Sequence, residues 1–145
     1  MVQDNSSLPD SDAQFSTTES KRHVSVLLVE DDRALRRLLQ VVLERAGYKV
    51  VPATDGLEAM KLVLSQPIDA VVTDEIMPNL SGHEFCRFLR NSPTLSHLPV
   101  ILLSALDRKD AQPNAADQAD EFLTKPVSGE RLIACIEKLL ANNSS

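Results

Sequence analysis

The sequence predicts an α/β fold, a doubly wound parallel sheet with helices on both faces. Three observations predict it. Short apolar, β-branched runs alternate with segments of helical periodicity, five times along the chain. The runs are apolar throughout instead of alternating with polar residues, as in strands buried on both faces. Parallel strands need crossovers, and right-handed crossovers through helices close such a sheet.

The elements follow in order. Residues 24–29, Val-Ser-Val-Leu-Leu-Val, form the first strand, and Glu30, Asp31 and Asp32 follow it. Leu35, Leu38, Leu39, Val42 and Leu43 recur at helical spacing up to Gly47, a C-terminal stop. A second strand spans 49–53, and Asp55-Gly56 marks a turn. Leu57, Met60, Val63 and Leu64 give a second helix, ended by Pro67. The third strand, 70–73, runs straight into Asp74. A loop with Pro78 and Gly82 leads to a helix over 83–90. The fourth strand, 100–103, stops at Ser104-Ala105, and a polar, Ala-rich stretch fills 106–120. Residues 122–124 form the fifth strand and stop at Lys125-Pro126. Ser128 or Gly129 caps a last helix carrying Leu132, Ile133, Ile136, Leu139 and Leu140.

Composition bounds the function. The 145 residues suit one domain with a core of its own. With no Trp and one Tyr, that core is built from Val, Leu, Ile and Ala. A net charge of -6 argues against nucleic acid as a direct partner, since phosphate backbones require a basic face. Residues 1–22 are polar and aperiodic and read as a disordered extension. The folded domain is expected over 23–141, with 142–145 a tail or the start of a linker. No apolar run reaches membrane-span length and no signal peptide is recognisable, so a cytoplasmic location is expected, without a membrane partner. Cys86 and Cys135 lie on amphipathic helices as small core residues, without further Cys or His at ligand spacing. His23, His83 and His97 are expected to face solvent, and Arg36 and Arg37 to shape a solvated helix face.

In such sheets, ligands sit beyond the carboxyl ends of the strands. The residues placed there are Glu30, Asp31 and Asp32, then Asp74, then Ser104 and Ala105, then Lys125. Crowded carboxylates resist ionising together. A hard divalent cation such as Mg²⁺ relieves that repulsion and takes phosphate oxygens as further ligands. Lys125 and Ser104 would bind other phosphoryl oxygens, and a carboxylate would be the nucleophile. A purely structural acid cluster is the alternative at this point, and Asp32 alone reads equally as a helix cap.

The pieces Val29-Glu30-Asp31-Asp32, Asp74-Glu75-Ile76-Met77-Pro78 with Ser81-Gly82, Leu103-Ser104-Ala105 and Phe122-Leu123-Thr124-Lys125-Pro126 resemble the receiver domain of bacterial two-component response regulators. The resemblance implies a flavodoxin-like (βα)5 sheet with strand order 2-1-3-4-5. It implies that Asp74 is the phosphoacceptor and that Asp31, Asp74 and the Ile76 backbone carbonyl ligate Mg²⁺, or Mn²⁺, with Glu30 acting through water. Ser104, Lys125 and the Ala105 backbone N–H would hold phosphoryl oxygens. Ser104 and Phe122 would form the switch, Phe122 by packing because it lacks a hydroxyl. A cis peptide before Pro126 is also implied. The implied partners are a sensor histidine kinase or phosphotransfer protein and a downstream protein target or a missing effector domain. Monomer or weak dimer is implied, through the face of the family's fourth helix, fifth strand and fifth helix. Chemistry is confined to the chain's own phosphorylation and dephosphorylation.

Departures from the pattern sharpen the alternatives. Pro113 and Asn114 interrupt the family's fourth helix, where an interior proline costs about 3 kcal/mol, so 107–120 is expected to be short, broken or mobile. Val127 follows Lys125-Pro126 where Phe is commoner. An aspartate-nucleophile phosphatase would place a second acid two residues after the nucleophile, at the position of Ile76. A phosphorylation-independent interaction module has no need of Asp74, Ser104 and Lys125 together. The sequence fits either a stand-alone receiver or a fragment of a longer regulator.

Overall fold

The structure, a computed structural model, describes residues 24–105 and 119–143. The expectations for 1–22 and for almost all of 107–120 fall outside the described residues. Five strands, β1 (Ser25–Val29), β2 (Lys49–Ala53), β3 (Ala70–Asp74), β4 (Val100–Ser104) and β5 (Glu121–Thr124), form one parallel sheet. Their order is β2-β1-β3-β4-β5, as the sequence implied. Among the described residues the helices are α1 (Arg33–Arg45), α2 (Gly56–Ser65), α3 (Gly82–Arg90) and α4 (Gly129–Asn143).

Burial along the strands follows from this order. Every residue of β1, β3 and β4 is buried, because each lies between two strands and under helices on both faces. The edge strands β2 and β5 carry exposed positions, and Pro52 is tolerated on β2 because an edge strand has one unpaired side. Val26, Leu28, Ile101 and Leu103 pack with Leu39 and Leu43 of α1 and Leu132 and Ile136 of α4. On the opposite face Leu27, Val29, Val71 and Val100 pack with Val63 of α2 and Phe85 and Leu89 of α3. Period-2 side-chain alternation divides one apolar run between two cores.

Each helix starts with a side-chain cap beyond the carboxyl edge. Asp32 Oδ1 accepts from the Leu35 N–H at 3.0 Å, and Asp55 Oδ1 from the Glu58 N–H at 2.8 Å. Ser81 and Glu84 form a reciprocal capping box on α3. Ser128 Oγ accepts from the Arg131 N–H at 3.0 Å. Asp32 is thus a cap. Asp55 and Gly56 are the cap and first residue of α2, where the sequence suggested only a turn. Gly47 ends α1 at φ 102°, a conformation that glycine adopts without strain.

Leu28 is fully buried among both sheet neighbours and the α1–α4 layer. Leu28→Ala should lower unfolding stability by about 2–5 kcal/mol, read as a lower urea midpoint at unchanged slope. A cost below about 1 kcal/mol would contradict this packing.

Candidate functional site

Sheet register sets the site. Val29 pairs with Thr73, so the next residues, Glu30 and Asp74, come level at the carboxyl edge. Asp74 pairs with Leu103, and Ser104 with Thr124, which carries the step across to Lys125. The Lys125 N–H donates to the Ser104 carbonyl at 2.7 Å, fixing the turn that delivers the ammonium. The peptide bond between Lys125 and Pro126 is cis, as the resemblance implied.

The geometry brings Glu30, Asp31 and Asp74 together, with one carboxylate oxygen from each within 4.8 Å of the others. Lys125 Nζ stands 2.9 Å from Asp74 Oδ1 and 3.2 Å from Glu30 Oε1. Asp74 is 6 % exposed and its Oδ1 also accepts from the Glu75 N–H at 3.1 Å. Glu30 is wholly buried; its Oε2 accepts from the Asp32 N–H at 3.0 Å. Asp31 is exposed at the rim.

Burial is the largest influence on Glu30 and pushes its carboxyl up to about 7. The Asp32 N–H opposes that rise, the Asp74 charge adds to it, and Lys125 opposes it. For Lys125, burial works against the charged form, but the hydrogen bond and charge of Asp74, followed by the charge of Glu30, outweigh it and raise its pKa. The residues fit a hard cation. Glu30 Oε1 is buried without a hydrogen-bond partner among the described residues; Lys125 is within ion-pair distance of it but poorly aligned. A metal or a metal-bound water would satisfy that oxygen, and an all-oxygen donor set suits Mg²⁺.

Two supports were not read from the sequence. Arg36 reaches back from α1, and its Nη1 donates to the Glu30 carbonyl at 2.8 Å, so it braces the acidic loop instead of merely covering a solvated face. Gly82 packs so closely under β3 that any side chain would strike the Asp74 carbonyl. Its spacing from Asp74 carries that signal, but only the folded loop reveals the collision.

The remaining predicted positions lie around this centre. Ser104 is buried at the end of β4, and Ala105 follows it exposed. Ile76 sits in the loop after Asp74 with its side chain 66 % exposed. Phe122 is half-buried on β5, paired in register with Leu102. His97 is exposed and His23 falls outside the described residues, but His83 corrects the expectation of a solvent-facing ring. The Ser81 cap turns the first turn of α3 back onto the strand end, and His83 Nε2 meets Glu75 Oε2 at 2.7 Å. Cys86 and Cys135 are buried, and burial pushes both thiols up to about 11, consistent with inert core residues.

Comparison with known proteins agrees with this arrangement. A family model described as the response regulator receiver domain matches residues 26–137. Response regulator MprA of Mycobacterium sp. strain KMS is 42 % identical over 122 residues, covering 83 % of this chain and 52 % of the relative. Its counterpart in Mycobacterium tuberculosis strain H37Ra is 42 % identical over 118 residues, covering 81 % of this chain and 50 % of that one. The chain therefore spans about half the length of the curated relatives it matches. The receiver domain of Francisella response regulator 1452 superposes with a TM-score of 0.76 at 31 % identity, covering 83 % of this chain and 98 % of that one. Thermotoga maritima TrrA, solved in complex with Mg²⁺-BeF, gives 0.72 at 30 %, covering 79 % and 97 %.

Metal binding is directly testable. Mg²⁺ should raise the melting temperature, by an amount equivalent to about 2.7 kcal/mol at one hundred times its Kd. Asp31→Asn should remove most of that rise. A wild-type melting curve unmoved by millimolar Mg²⁺ would contradict the site.

Proposed function

The chain belongs to the response regulator receiver domain family, and on that premise we propose that Asp74 accepts a phosphoryl group from a sensor histidine kinase or phosphotransfer protein. The observation that carries this reading is the placement of a buried Asp74 carboxylate beside Lys125 and within the acidic cluster of Glu30 and Asp31. Two donors, the Lys125 ammonium and the Glu75 N–H, hold Oδ1 and so orient the carboxylate. Oδ2 is then the attacking oxygen. Its lone pair forms the O–P bond while the P–N bond to the donor imidazole breaks, and the leaving nitrogen keeps that pair and takes a proton.

When bound, Mg²⁺ supplies neutralisation of the charge spread over the phosphoryl oxygens, and Mn²⁺ satisfies the same oxygen preference. Its protein ligands are Asp31, Asp74 and the Ile76 carbonyl, with Glu30 acting through water. Lys125 moves its ammonium from carboxylate to phosphoryl oxygen, keeping an ion pair in both states. The Ser104 hydroxyl and the Ala105 N–H donate to the remaining oxygens. Hydrolysis of the acyl phosphate, by water attacking phosphorus as the bond to Asp74 Oδ2 breaks, restores the carboxylate. The chemistry acts on the chain itself, and the output is a change of shape at Ser104 and Phe122 read by a downstream protein or effector domain. Among the described residues no helix is long and apolar enough to cross a membrane. The reading places this signalling in the cytoplasm.

Incubation with Mg²⁺ and a small acyl phosphate or phosphoramidate should add one phosphoryl group by intact mass. Asp74→Asn and chelation of divalent ions should each abolish the adduct. A wild type that stays unmodified, or an Asp74→Asn variant that is modified equally, would overturn the assignment.

A further inference from the structure

The side chains of Glu75 and His83 take no part in the chemistry above, yet they occupy the ground between the phosphoacceptor and the edge strand. Glu75 directly follows Asp74, and its backbone N–H is shared between Asp74 Oδ1 at 3.1 Å and the Leu103 carbonyl at 2.9 Å. Its carboxylate meets His83 Nε2 at 2.7 Å, with side-chain exposures of only 13 % and 19 % for Glu75 and His83. The same ring neighbours Phe122, with centroids 6.4 Å apart and planes tilted by 37°. One imidazole thus touches both the residue after the phosphoacceptor and the aromatic of β5.

We infer that His83, held by Glu75, is a positioning residue that couples the state of Asp74 to the placement of Phe122. The inference rests on the phosphoacceptor reading of Asp74.

The physical steps are local. Phosphorylation of Asp74 removes the carboxylate charge that its Oδ1 presents to the Glu75 N–H, so the shared bond shifts toward the Leu103 carbonyl. Glu75 moves with its own backbone, and a short charge-assisted bond carries His83 along. Phe122 packs against that ring and must adjust, because close-packed side chains cannot move singly. His83 also has a reason to rearrange. With Nε2–H donated to the carboxylate, Nδ1 is buried with no hydrogen-bond partner among the described residues. A buried orphan nitrogen makes the observed placement less than optimal, so a second arrangement that satisfies it lies close in energy. Two arrangements of one element, biased by the phosphoryl site, are what coupling requires. A simple structural pair, by contrast, would be indifferent to the state of Asp74.

The test uses the full chain with Mg²⁺ and beryllofluoride as the phosphoryl probe. Binding is followed by the melting temperature, and the ring resonances of Phe122 by NMR, assigned with Phe122→Leu. The wild-type Phe122 signals should shift on binding. In His83→Leu the probe should still bind, while the Phe122 shift falls to less than about a third, because the ring that transmits the change is gone. Glu75→Gln, which keeps the hydrogen bond but weakens it, should give an intermediate shift. Bound probe with unmoved wild-type Phe122 signals overturns the coupling alone. So does a Phe122 shift of undiminished size in His83→Leu, which would report a route that bypasses the imidazole. Absence of probe binding to the wild type removes the phosphoacceptor reading and this inference together.

Discussion

A strand covered on both faces and flanked on both edges has nowhere to place a charge except at or beyond its last paired residue. β1, β3 and β4 are such strands, and β5 joins them at one side. Parallel pairing then sends all four ends to the same edge. Acids that follow β1 and end β3, a hydroxyl that ends β4 and an ammonium that follows β5 meet because the apolar interior has no room for them. The site is thus a by-product of core burial put to chemical use, and its precision is inherited from sheet register.

Concentrating carboxylates in one place is unfavourable, and among the described residues Lys125 is the cation that meets them. Lys125 bridges Asp74 and Glu30 and holds part of the charge in check. It pairs with Glu30 Oε1 by charge, but that buried oxygen has no well-aligned hydrogen bond among the described residues. An ammonium is compact and on a flexible stem, so it can leave one oxygen for another without rebuilding its surroundings. The cluster is therefore left able to take a further charge partner.

Much of this was legible in the chain. The apolar runs gave the strands because burial on both faces favours nearly uninterrupted apolar residues, and the charged residue that closes a run, such as Asp74 or Lys125, marks the carboxyl end of a strand. Asp32 was readable as a cap because its chemistry is satisfied within three residues. His83 was misread for the complementary reason. Its partner Glu75 lies eight positions back, across a loop, and nothing in local spacing announces that the Ser81 cap folds the ring inward. Arg36 escaped in the same way, since its acceptor is a backbone carbonyl and leaves no mark in the side-chain pattern. Gly82 was visible as a glycine but not as a necessity, because the obstacle, the Asp74 carbonyl, belongs to another element.

Strand order also governs how the molecule comes into being. With β2-β1-β3-β4-β5, the first two strands to leave the ribosome can pair at once, and each later strand adds beside one already laid down. Growth after β2 proceeds outward along a single open side. The ammonium arrives with the turn after the fifth strand, so a nascent chain carries its acids long before their counter-charge. The pocket closes electrically only once the fifth strand and the turn after it have been made.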